Sequence, residues 1–110
     1  TPILIEAVVA AVHELSDLGA RGVFNVVGDE RLSKYEFGLK VAQEFDLDRD
    51  KIEPGLISDQ PSLVRRPRDM SLCNQKTREL LVRPLGGIGQ HLARLRQQEE
   101  SGLSAEVGGL

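Results

Sequence analysis

Residues 22–45 read GVFNVVGDERLSKYEFGLKVAQEF, two local signals set back to back. The first, GVFNVVG at 22–28, is a β-branched and aromatic run between glycines. Its apolar residues fall on both alternating faces, which predicts a strand buried within a sheet. The second, SKYE at 33–36, has the form of a capping box: the Ser33 hydroxyl accepts from the Glu36 amide and the Glu36 carboxylate reaches back to the Ser33 amide. A helix is expected to follow, burying Phe37, Val41 and Phe45, with Gly38 and Ala42 allowing close approach of a neighbour.

Upstream, TPILI begins as an extended run. From Ile5 the positions Val8, Val12 and Leu15 repeat at helical spacing until Gly19. Downstream, DLDRDKIEPGLISDQPS is a polar, proline-punctuated connection with a short strand expected near Leu56 and Ile57. MSL at 70–72 reads as another short strand, Asn74 as the N-cap of a helix from Gln75 to about Val82, and Pro84 as a stop. Ile88, Leu92 and Leu95 mark a last amphipathic helix that turns wholly polar at RQQEE. The expectation is an α/β arrangement of three to four helices with a few short strands over residues 1–99, and a disordered, glycine-rich tail at 100–110.

The length of 110 residues suits one modest core. Fourteen basic against 17 acidic residues give a net charge of -3, so the global field attracts neither nucleic acid nor an anionic membrane. Cys73 is the single cysteine and has no internal disulfide partner, and no apolar run is long enough to span a membrane. These features lead to the expectation of a cytoplasmic protein. TPILIEAVV starts in mid-pattern, so the chain is expected to be part of something longer.

Most residue types capable of chemistry fall into ordinary roles. Asp46, Asp48 and Asp50 mimic the start of a calcium loop, but Lys51 stands where the turn needs glycine and Ile57 where the bidentate glutamate belongs. Tyr35 and Lys40 are five residues apart, about 140° around a helix, and form no relay pair. His13 and His91 have no second ligand at metal spacing. GGIGQ at 86–90 is read as a loop into the last helix, whose N-terminus favours an anion.

LVRRPRDMSLCNQK at 63–76 differs from these, because three arginines and a lysine gather around a proline and an aspartate. Arginine suits phosphate: its planar fork donates parallel hydrogen bonds and stays charged at every working pH. Pro67 limits the entropy lost when neighbouring guanidinium groups are immobilised. Asp69 has the chemistry to accept from a sugar hydroxyl or to hold one arginine. Chemistry alone leaves the stretch open between an anion grip and a solvated basic loop.

The order GVFNVVGDERLSKYEFGLKVAQEF, RRPRDMSLCNQK and amphipathic helix resembles the C-terminal part of the extended short-chain dehydrogenase/reductases. It is similar in particular to dTDP-4-dehydrorhamnose reductase and the NAD-dependent sugar-nucleotide epimerases. The resemblance covers about residues 1–99 and implies a substrate-binding region, with the Rossmann half that carries the catalytic Tyr and Lys absent. It implies NAD or NADP bound mainly by that half, a nucleotide-sugar substrate, and hydride exchange with a sugar carbonyl or hydroxyl in the parent enzyme. In the epimerases an arginine, two residues and an aspartate grip the diphosphate and the ribose. By resemblance Arg66 becomes the phosphate contact, Asp69 the ribose contact and Arg65 a weaker companion. Thr1 stands where epimerases carry a second phosphate-binding arginine, which argues against a strict epimerase. The reductases, and the non-catalytic regulatory beta subunit of methionine adenosyltransferase, carry RPRN in place of RPRD, which leaves the subfamily open; a non-catalytic regulatory subunit of the same fold is the alternative. Without the Rossmann half, the apolar run at 22–28 is expected to make the chain self-associate or to be buried differently.

Overall fold

The computed structural model describes residues 1–59, 62 and 64–102. Four α-helices run through them: α1 (Ile5–Asp17), α2 (Lys34–Glu44), α3 (Gln75–Leu80) and α4 (Ile88–Glu100).

Helix α1 buries Ala11 and half-buries Ala7, Val8 and Leu15, so Val12, expected on the inner stripe, is on the exposed side with Ile5 and Val9. The helix ends in a Schellman motif. Gly19 takes φ +66°, a conformation costly for a residue with a Cβ, and lets the Ala20 amide donate to the Leu15 carbonyl and the Gly19 amide to that of Ser16.

Helix α2 starts on the expected capping box, with both reciprocal bonds present: Glu36 N–H to Ser33 Oγ at 3.1 Å and Ser33 N–H to Glu36 Oε1 at 3.3 Å. Its small residues set its neighbours. Gly38 faces Ile52 so closely that an added Cβ would stand 3.6 Å from the Ile52 Cγ2, and Ala42 is buried where α2 packs on α4. Phe37, Val41 and Phe45 flank this contact half-buried. The buried apolar residues Ala11, Ala42, Leu85, Ile88 and Leu92 form a core centred on the start of α4.

The short strands are a correction: the described residues contain none. Gly22 is a bend at φ +105° and residues 23–28 carry no regular assignment; side chains of Asn74 and α3 stand where a sheet partner was expected. Successive outward carbonyls on one edge of the segment are each taken: Val23 O accepts from Lys76 Nζ at 3.0 Å, Asn25 O from Thr77 Oγ1 at 2.8 Å and Val27 O from Asn74 Nδ2 at 3.0 Å. Alternate carbonyls of the run thus meet the first turn of a helix instead of a ladder. Val23 is 82% exposed, contrary to burial on both faces. MSL likewise carries no regular assignment, and the stretch expected as a strand near Leu56 and Ile57 is entered by a 3₁₀ turn at Ile57–Asp59.

Helix α3 ends at Leu80, before Pro84, and the Asn74 side chain does not cap it. That amide is spent on Val27 and on Asp29 Oδ1, at 2.8 Å. The polar end of α4 is helical through Glu100, the first residue assigned to a tail; Ser101 and Gly102 form a turn, and residues 103–110 lie outside the described residues.

Candidate functional site

The site is built on residues 64–71, an irregular stretch, bent at Arg68 and exposed up to Met70, in which Asp69 organises the backbone. Asp69 Oδ1 accepts from the Ser71 amide at 2.9 Å and the Ser71 hydroxyl at 2.6 Å, the geometry of an Asx turn. Asp69 Oδ2 is 2.8 Å from Arg31 Nη2. The two Ser71 bonds, and then the Arg31 charge, hold the Asp69 carboxyl below the ordinary aspartate range, so it is an ionised acceptor at every physiological pH. Each carboxylate oxygen has two acceptor sites. On Oδ1 both are filled, and on Oδ2 one is open.

Arg65, Arg66 and Arg68 are exposed, and among the described residues no ion pair involves them. The aspartate nearest to them in sequence is neutralised from elsewhere. RRPR is therefore a concentration of positive charge, uncompensated among the described residues of an acidic chain and fixed at one end by the Asx turn. Leu63, which opens the quoted stretch, lies outside the described residues.

The segment that delivers Arg31 is fastened residue by residue. The Asp29 amide donates to Gly86 O at 3.0 Å, while the Asp29 carboxylate accepts from Asn74. Glu30 Oε1 accepts from the Ile88 amide at 3.1 Å, so the α4 N-terminus is met by one of the protein's own carboxylates. Gly87 makes room for it, since a Cβ there would stand 2.5 Å from Glu30 Oε1. Leu32 is half-buried and Ser33 caps α2. The Arg31 side chain, 70% exposed, reaches away from these anchors to Asp69.

Thr1 lies beside the same stretch, its hydroxyl accepting from the Leu72 amide at 3.3 Å. Cys73 is exposed, and its carbonyl accepts from Asn25 Nδ2 at 3.0 Å. Lys76 stands 4.4 Å from the centroid of the Phe24 ring, a cation–π contact added to its bond with Val23.

The remaining chemical residues are structural. The His91 ring is buried, with Nδ1 accepting from the Leu4 amide at 3.4 Å; Nε2, 3.2 Å from Gly86 O, therefore carries the proton and donates. Asp48 caps the 3₁₀ turn Arg49–Lys51, and Asp46 pairs with Arg96 at 3.3 Å. Tyr35 sits at the first turn of α2 and Lys40 is exposed further along it.

A family model described as the RmlD substrate binding domain matches residues 1–100. The chain belongs to this family. It corresponds to the substrate-binding part of dTDP-4-dehydrorhamnose reductase-like proteins. No curated protein and no solved structure gives a match. The match spans the whole frame just described, from Thr1 beside Leu72 to the end of α4. No helix among the described residues is long and apolar enough to cross a membrane.

Arg31 is the residue that sequence reasoning missed. It lies in a polar loop between the extended run and the capping box, and no periodicity ties it to the arginine stretch. The available signal was the local crowding of DER between two strong structural markers, but only the fold shows which of the three reaches Asp69.

Proposed function

We propose that this chain is the nucleotide-sugar-binding portion of an NAD(P)-dependent sugar-nucleotide reductase or epimerase. The observation that carries the reading is the RRPR stretch: exposed guanidinium groups with no ion-pair partner among the described residues, anchored next to a carboxylate with one acceptor site open. Arg66 grips the diphosphate, Arg65 assists, and Asp69 Oδ2 accepts from a ribose hydroxyl. Binding energy from this remote part of the substrate orients the sugar for the reaction.

The described residues do not fit the cofactor. The glycine-rich start of α4, where a phosphate would sit, is closed by the Glu30 carboxylate. No step of hydride chemistry is assigned to this chain.

Calorimetry with a dTDP-sugar tests the assignment. Arg66→Ala is expected to weaken binding by roughly tenfold or more, the scale of a charge-assisted contact to phosphate. Equal affinity in the wild type and the variant contradicts the role of Arg66. The uncovered apolar side chains Ile5, Val9, Val12 and Val23 support self-association of the chain on its own. A monodisperse monomer in analytical ultracentrifugation contradicts that part.

A further inference from the structure

Arg31 and Asp69 are far apart in sequence and meet at 2.8 Å with their side chains 70% and 50% exposed. An ion pair as exposed as this adds little to the stability of a fold. Yet the segment that presents Arg31 is unusually well fixed: Asp29 is tied to Asn74 and Gly86, Glu30 to the first turn of α4, and Ser33 to the first turn of α2. The arginine stretch it reaches is exposed throughout. Arg31 thus links a firm part of the molecule to an exposed one, and it does so at the carboxylate.

The consequence lies in the free acceptor site. With Ser71 occupying Oδ1 and Arg31 one side of Oδ2, the Asp69 carboxylate is held from both ends and its last lone pair has a defined direction. Removing Arg31 leaves the carboxylate held only through Oδ1, free to swing its other oxygen. Functional groups are effective when a neighbouring shell fixes them to within a fraction of an ångström.

We propose that Arg31 is a positioning residue of the nucleotide site, aiming Asp69 Oδ2 at a sugar hydroxyl of the bound nucleotide. The inference rests on the reading of residues 65–69 as the nucleotide-sugar site. It separates two contributions. Arg66 acts on phosphate, whereas Arg31 acts through Asp69 on the ribose.

NMR titrations of this chain with dTDP, which carries a 3′-hydroxyl, and with inorganic pyrophosphate, which carries none, distinguish the roles. The wild type is expected to bind both. Arg31→Ala is expected to weaken dTDP binding roughly tenfold, the scale of one hydrogen bond to a charged group, and to leave pyrophosphate binding unchanged. Arg31→Lys, which keeps the charge, recovers part of the loss, and Arg31→Ala adds nothing in an Asp69→Ala background. Arg66→Ala weakens both ligands. If Arg31→Ala weakens dTDP and pyrophosphate alike, or neither, the positioning role is overturned while the site itself stands. If the wild type binds neither ligand, the underlying reading is overturned and the inference with it. Amide spectra that match the wild type in every variant confine the effects to the site.

Discussion

The Glu30 carboxylate closes the N-terminus of α4 by accepting from the Ile88 amide at 3.1 Å, and it reaches that amide over Gly87. A carboxylate there satisfies an orphan N–H and meets the positive end of the helix dipole. Glu30→Ala is expected to destabilise the chain by about 1 kcal/mol, the usual size of a lost cap. Gly87→Ala costs a similar amount because its Cβ displaces the same carboxylate. The two losses therefore do not add, and a double-mutant cycle by urea denaturation reads the coupling.

Thr77 is fully buried, with Oγ1 donating to Asn25 O at 2.8 Å. Thr77→Val keeps the shape and leaves that carbonyl without its partner, at an expected cost of about 1–2 kcal/mol. Thr77→Ser keeps the bond and loses a methyl group, for about 1 kcal/mol. Thermal unfolding of the two variants tests whether the hydroxyl or the packing dominates; the account predicts the larger loss for Val.

Gly28 lies against the Pro2 carbonyl so tightly that a Cβ there would overlap a backbone atom. Backbone yields less readily than a side chain. Gly28→Ala is expected to cost about 3 kcal/mol, the upper range for overpacking, and to loosen the Gly28 amide bond to Thr1 O at 3.4 Å. Hydrogen exchange around Thr1 and Leu72 would rise with it.

Asp69 offers a prediction in pH. Its carboxyl is lowered first by the Ser71 hydroxyl and amide and then by Arg31. A carboxylate depressed in the folded state contributes stability that is present above its unfolded pKa and is lost as pH falls through the folded value. Carbon-detected NMR should find Asp69 titrating below ordinary aspartates, in a window below about pH 4. Ser71→Ala should move the midpoint up further than Arg31→Ala. The opposite order would make the ion pair, rather than the Asx turn, the main anchor.

How much of this was legible in the sequence follows from the range of each interaction. The capping box at Ser33 and Glu36, the stop at Gly19 and the helical spacing of Ile88 and Leu92 are local, and each stands where its residues predict. The run at 22–28 was legible as non-helical backbone but not as to what pairs with it. β-branched residues favour extension wherever the carbonyls find donors, and here the donors are Asn74, Lys76 and Thr77. The same sharing explains Asn74, whose side chain resembles an N-cap by position and is engaged instead by Val27 and Asp29. The RRPRD stretch announced itself by composition. Its anchor did not, because Arg31 meets Asp69 only through the long-range contacts of Asp29 with Asn74 and of Glu30 with the start of α4, which place the segment that carries Arg31.

The most direct measurement of the central claim is the pattern of amide shifts when this chain is titrated with a dTDP-sugar. The account predicts the largest changes at Arg65 to Ser71 and at Arg31, with α2 and the far end of α4 unchanged. Changes centred instead on Lys40, Arg49 and Arg96, basic residues lining the two clefts beside α2, would contradict it.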